Sequence, residues 1–164
     1  MKYLAYFKPN KEISDLILRR DNIVLPKSGL HSTLCFFDME PKHEQRLVSD
    51  LSNIEFYPFE IQTLGYENFD EDQLVLTLSR PDRLLGLHNN VVSTVQNYSD
   101  RTFDEIVKKY YRDNYNPHLA ISKSSIGFNR NPGLIGQKYI NSRYYLAKKI
   151  RQNWKEIQSF RSNR

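Results

Sequence analysis

Two histidines stand in similar extended stretches far apart in the chain, Leu30-His31-Ser32-Thr33-Leu34-Cys35-Phe36-Phe37 and Pro117-His118-Leu119-Ala120-Ile121-Ser122-Lys123. Both stretches read as strands from their apolar residues and alternation, the first rich in aromatic and β-branched side chains. Strict alternation predicts one face with His31, Thr33, Cys35 and Phe37, and the other with Leu30, Ser32, Leu34 and Phe36. In the second stretch His118, Ala120 and Ser122 are expected on one face, opposite Leu119 and Ile121. Imidazole suits general acid–base work, because its ordinary pKa of about 6.5 lets either protonation state exist near neutrality. A hydroxyl two residues along the same face adds a donor for a developing oxyanion.

The elements that must position these residues can be read in order. Residues 2 to 8 form a first strand, and Asn10 is a suitable N-cap for a helix from Lys11 to about Arg20 with Ile13, Leu16 and Ile17 as its stripe. Pro26-Lys27-Ser28-Gly29 is a turn by composition. Pro41 suits the first turn of a second helix, whose core stripe is Leu47, Val48, Leu51 and Ile54. Phe59 to Tyr66 and Gln73 to Arg80 read as strands joined by an acidic turn from Glu67 to Asp72. Pro81 opens a helix lined by Leu84, His88, Val91, Val92 and Val95. Thr102-Phe103-Asp104-Glu105 has the capping-box pattern and predicts a short helix with Phe103, Ile106, Val107, Tyr110 and Tyr111 inward. After the His118 strand come a polar loop, Ser124 to Pro132, and a short helix near Leu134 to Ser142. The tail fits either a helical stripe (Leu146, Ile150, Trp154, Ile157) or a hairpin turning at Arg151-Gln152-Asn153. An element order of strand, helix, strand, strand, starting at each histidine, favours the hairpin and predicts two units about an approximate two-fold axis.

At 164 residues and a net charge of +5, the chain is expected to be a single bilobal domain over 1–164 with a substantial core. Its charge leans toward a polyanionic partner. No apolar run approaches a membrane span, and the N-terminus lacks a signal-type apolar region, so no membrane partner is expected. Cys35 is the single cysteine, which excludes an intrachain disulfide framework and points to a reducing, cytoplasmic setting. No clustered carboxylate or Cys/His ligand set is visible, so neither metal nor cofactor is expected.

The motifs His31-Ser32-Thr33-Leu34 and His118-Leu119-Ala120-Ile121, the second introduced by Tyr115-Asn116-Pro117, resemble those of the two-histidine (2H) phosphoesterase superfamily, which includes RNA ligase T type enzymes and cyclic nucleotide phosphodiesterases. The first motif matches fully. The second carries Ala120 where the family has Thr or Ser. The resemblance implies an α+β bilobal fold of two antiparallel sheets with outer helices. It also implies metal-independent hydrolysis of RNA-like or nucleotide phosphodiesters at a ribose 2′ position, whether a 2′,3′-cyclic phosphate, a 2′,5′-linked or a cyclic oligonucleotide. On that reading His31 and His118 are the acid–base pair and Thr33 is a phosphate ligand. Ser122 is the candidate to replace the hydroxyl missing at Ala120, with Lys123 and Arg130 as further sources of charge. A catalytically inactive RNA-end or nucleotide-binding module is the alternative, and a small basic interaction domain without a groove is a third.

Other residues have plainer readings. His88 falls in a helix stripe and reads as a partly buried core residue, His43 as solvated and Cys35 as a small core residue. Most of the tyrosines are packing residues. Tyr6 and Tyr115 are the candidates to stack on a nucleobase. Lys108-Lys109 and Lys148-Lys149 read as solvated faces.

Overall fold

Tyr3, Ala5 and Phe7 point into one apolar cluster and Leu4 and Tyr6 into another, so the first strand, β1 (Lys2–Phe7), is buried on both faces. That makes it a central strand. The computed structural model describes residues 1–19, 29–69, 73–122 and 130–163. In it β1 lies between β2 (Ser32–Asp38) and β7 (Arg143–Ile150), and β8 (Asn153–Arg161) completes a four-stranded sheet ordered β2-β1-β7-β8. A second four-stranded sheet has the order β5-β4-β3-β6, from β3 (Phe59–Phe69), β4 (Gln73–Leu78), β5 (His118–Ser122) and β6 (Lys138–Asn141). Every pairing in both sheets is antiparallel. The two histidine motifs therefore occupy matching places, each at the edge of its sheet, and the edge strands β2 and β5 touch.

Helices fill the core side. Helix α1 (Lys11–Leu18) is capped by Asn10, whose Oδ1 accepts from the Ile13 amide at 2.9 Å, and buries Ile13 and Ile17. A 3₁₀ turn at Pro41–His43 leads into α2 (Glu44–Ser52), which buries Leu47 and Leu51. Helix α3 (Asp82–Gln96) buries Leu84, Leu87, Val91, Val92 and Val95 in one continuous stripe, the amphipathic spacing that drives a helix onto a sheet. These side chains join Tyr3, Phe37, Leu76, Leu119 and Ile121 in a single core. A smaller cluster of Leu4, Tyr6 and Ala147, with Phe36, Tyr145 and Trp154 against it, covers the other face of the first sheet.

Four expectations are corrected. Helix α4 (Arg101–Tyr110) is capped by Asp100 rather than Thr102, because the Asp100 carboxylate accepts the Thr102 amide at 3.1 Å. Tyr110 is exposed there, and Tyr111 lies past the helix end. Strand β3 runs on through Glu67 to Phe69, so the acidic turn is shorter than expected. Its remainder, Asp70 to Asp72, lies outside the described residues, as do Pro26 to Ser28 and Ser124 to Asn129. Residues 134–142 hold no α-helix. A 3₁₀ turn at Pro132–Leu134 precedes β6, where Tyr139 and Asn141 are buried and Lys138 and Ile140 exposed, the period of a strand zipped onto β3. Finally, among the described residues the repeat of element order is not reproduced after His118, where that 3₁₀ turn precedes β6 and the first copy has α2. The equivalence is one of position in the sheets. The tail is a hairpin turning at Arg151-Gln152, with Arg151 at φ 54°.

Candidate active site

Each histidine is held by its own backbone in the same way. His31 Nδ1 lies 2.9 Å from the Gly29 carbonyl, and His118 Nδ1 lies 2.9 Å from the Asn116 carbonyl, each two residues upstream. A carbonyl can only accept, so Nδ1 carries the proton in both rings and Nε2 is the nitrogen left for proton exchange. The approach to His31 uses Gly29 at φ 73°, a left-handed turn that glycine adopts without a Cβ clash. The approach to His118 uses Pro117, whose ring keeps Asn116 extended and whose carbonyl accepts the Leu78 amide at 2.9 Å.

A β-bulge closes each motif at the same offset from its histidine. Ala5 pairs with Cys35 and Tyr6 with Thr33, leaving Leu34 as the extra residue of β2. Val75 pairs with Ala120 and Leu74 with Ser122, leaving Ile121 as the extra residue of β5. Both extra residues are buried, as are Ser32 and Leu119 between them and the histidines. An inserted residue reverses the alternation beyond it. Thr33 therefore joins the face of Tyr6 and Phe36, not that of Cys35 and Phe37, and the expected four-residue face is corrected. His31 is on the Thr33 side, its ring edge-on to Tyr6 at 5.4 Å. By the same reversal Ser122 takes the face of Leu74, away from His118 and Ala120, and is buried there. This removes Ser122 as the stand-in for the missing hydroxyl.

The two motifs share a cleft of about 400 Å³ lined by Thr33 and His118 together with Phe69, Gln73, Tyr110, Tyr115 and Asn116, with His31 beside Thr33 but outside that lining. Thr33, at the end of one sheet, and His118, at the end of the other, are thus brought to one opening. No protein-family model and no curated protein matches this sequence. Solved structures do. TT0787 of Thermus thermophilus matches at a TM-score of 0.74 with 15% identity over 98% of this chain and 97% of that one. E. coli LigT in complex with 3′-AMP matches at 0.69 with 14% identity over 99% and 98%. A further crystal structure, of a phosphoesterase, matches at 0.70 with 17% identity over 99% and 98%. The chain has the LigT fold.

Within this LigT fold the two imidazoles differ in their electrostatics. Burial pushes His31 below its ordinary pKa, the Gly29 carbonyl partly offsets this, and a charge on the nearby His118 lowers it further. Burial also lowers His118, but the Asn116 carbonyl and the Glu67 carboxylate both pull it back up. Glu67 is cross-strand from Val75, which is itself cross-strand from Ala120. It therefore stands on the His118 face of the second sheet. Phe69 packs its ring 4.5 Å from the His118 ring. Nothing in the sequence singled out Glu67 or Phe69; only the length of β3 and its register across β4 bring them to the site.

Other candidates are sorted by burial. Tyr6 is buried, stacks on Tyr145 at 5.5 Å and donates its hydroxyl to Glu156 at 3.1 Å, so it backs His31. Tyr115 is among the residues lining the cleft, but it is mostly buried and one ring face is taken by His88 at 3.8 Å and 7°, which leaves little of the ring for a nucleobase. Ala120 is half-buried on the His118 face and offers only a methyl. Cys35 is fully buried, and burial raises its thiol well above the usual range. His43 is half-buried near Tyr98. Lys148 is not a solvated charge, since it bonds both Glu44 carboxylate oxygens at 2.9 Å. Arg130 is exposed, and Lys123 lies outside the described residues. Among the described residues no three His, Cys, Asp or Glu side chains gather as a metal-ligand set, and no helix is long and apolar enough to cross a membrane.

Proposed function

We propose that this chain is a phosphoesterase that hydrolyses RNA-like or nucleotide phosphodiesters at a ribose 2′ position, with a 2′,3′-cyclic phosphate as the simplest substrate. The observation that carries the proposal is the duplicated anchoring of His31 and His118. Each has Nδ1 fixed on the carbonyl two residues upstream, and each opens an edge strand bulged at the same offset. A matched pair of oriented imidazoles is what in-line displacement at phosphorus needs, one on each side of the reacting centre. The solved structures of this fold include LigT complexes with 3′-AMP, phosphate and ATP, which supports a phosphate ligand here.

In the proposed reaction a water oxygen bonds to phosphorus as the bond from phosphorus to the ribose oxygen breaks. One Nε2 takes the proton from water, and the other gives its proton to the leaving ribose oxygen. His118 is assigned the acid role, because the Glu67 carboxylate favours its protonated form and the cleft able to take a nucleoside opens beside it. His31, whose charged form is opposed by His118, is the base. Thr33 donates its hydroxyl to a non-bridging phosphate oxygen, where charge accumulates. Ala120 makes no matching contribution, so turnover is expected to be slower than with a hydroxyl on both sides.

The test is hydrolysis of a 2′,3′-cyclic nucleotide, with EDTA present, by the wild type and by His31→Ala and His118→Ala, the products resolved by chromatography. Turnover that falls at least a hundredfold in both variants is expected. Tight nucleotide binding with no turnover, unaffected by His31→Ala, would instead identify an inactive end-binding module, the reading that the Ala120 methyl favours.

A further inference from the structure

His88 occupies a place that no packing argument requires to be polar. It lies on the apolar stripe of α3 between Leu84 and Val91 and is fully buried. A buried imidazole is costly unless both ring nitrogens are satisfied. Here both are. Nδ1 lies 2.9 Å from the Leu34 carbonyl, and Nε2 lies 2.9 Å from the Arg112 amide nitrogen. A backbone amide can only donate, so Nε2 is the acceptor and Nδ1–H donates to Leu34. The hydrogen count closes for a neutral ring with one tautomer and no spare donor.

The two partners make this bridge informative. Leu34 is the bulged residue of the first motif, on the edge strand of its sheet. Arg112, a non-glycine residue at φ 58°, begins the 3₁₀ turn that delivers the chain to Tyr115, Asn116 and His118. The His88 ring also lies flat on Tyr115, with centroids 3.8 Å apart. Beside it Tyr111 accepts the Phe36 amide at 2.8 Å, covering the same strand edge from the same segment. The outward edge of the His31 strand is thus tied to the lead-in of the His118 strand by side chains of one buried group, with His88 at its centre.

We propose that His88 is a positioning residue, setting the His31 strand against the His118 lead-in so that the two imidazoles meet across one phosphate. The proposal rests on the function assigned above. Misplacing paired acid and base groups by about an ångström costs on the order of a hundredfold in rate, a larger effect on turnover than on substrate binding.

The test compares wild type with His88→Phe, which keeps the ring stack but neither hydrogen bond. His88→Asn and His88→Gln are added because amide nitrogens and oxygens can restore one bond each. Cyclic-nucleotide hydrolysis is measured well below the unfolding temperature of each variant. The expected result is a kcat at least tenfold lower for His88→Phe with KM changed less than threefold, and partial recovery in the Asn or Gln form. A folded His88→Phe with wild-type kcat overturns the proposal; should it not fold, wild-type kcat in an amide variant whose Arg112 amide has lost its hydrogen-exchange protection does so. A readout independent of turnover is titration with inorganic phosphate, following the His31 and His118 imidazoles by NMR. In the wild type one phosphate is expected to shift both rings together, and in His88→Phe to shift one ring much less than the other. Equal shifts of both rings in both proteins overturn the positioning role, whereas a wild type that binds phosphate but turns over no substrate counts against the enzyme reading alone.

Discussion

Thr33 and Ser122 differ in one respect that sequence spacing hides. Each follows a histidine on an edge strand, but Thr33 precedes its bulge and Ser122 comes after its own. Thr33 therefore lines the cleft and Ser122 is turned to the Leu74 side. Thr33→Ala is expected to lower kcat/KM by ten- to a hundredfold, the usual result of removing one anion-stabilising donor. Ser122→Ala should leave it within about threefold, since that hydroxyl does not reach the phosphate. Steady-state kinetics of the two variants on one substrate checks both. The pH profile follows from the same pair of imidazoles. Both have pKa values lowered by burial, so above pH 6.5 the protonated acid is depleted. In the proposed reaction the rate needs one ring neutral and one charged, and kcat/KM is expected to peak on the acid side of about 6.5. A profile that rises into the alkaline range would contradict this.

At the scale of elements, the two bulged edge strands and α3 do the positioning. The bulge in β2 lets Thr33 line the cleft on the face of Tyr6 and His31 while Leu34, next along, stays in the core. Helix α3 supplies the group that satisfies the bulge carbonyl. His88 has its pKa lowered to about 4, chiefly by burial; the Leu34 carbonyl pulls it part of the way back up, and the nearby Arg112 and Arg80 charges lower it by smaller amounts. The folded state therefore holds this ring neutral where the unfolded chain protonates it at about 6.5. The stabilisation is complete above 6.5 and is lost as pH falls from there toward 4, a total of roughly 3 kcal/mol. Urea unfolding at about pH 7 and about pH 4.5 should show a steeper loss in wild type than in His88→Phe, which has no proton to gain. Equal slopes would mean that other groups dominate acid unfolding. The same element also shows what spacing concealed: a histidine at helical period with Leu84 and Val91 looks like an ordinary core position, and its two backbone partners lie on other elements.

At the scale of the whole molecule, the net charge of +5 should act on any polyanionic substrate beyond the reacting phosphate. Turnover of an oligonucleotide substrate is expected to weaken with added salt more steeply than turnover of a mononucleotide cyclic phosphate, because each further phosphate contact releases counterions. Parallel kcat/KM measurements across a salt series test this, and identical slopes would restrict recognition to a single nucleotide. The paired motifs, through the resemblance they carry, pointed to the two-sheet α+β fold, and the sequence by itself also determined the strands around them, α1 through its Asn10 cap and α3 through its stripe. These are local properties, written in alternation, helical period and capping chemistry. Tertiary structure alone decided where alternation breaks, which side chains of distant strands share a row, and what satisfies an unpaired edge carbonyl. A bulge, a register and a buried hydrogen-bond bridge each depend on a partner far away in the chain, so Ser122 left the site, Glu67 and Phe69 entered it, and His88 acquired its place between the two motifs.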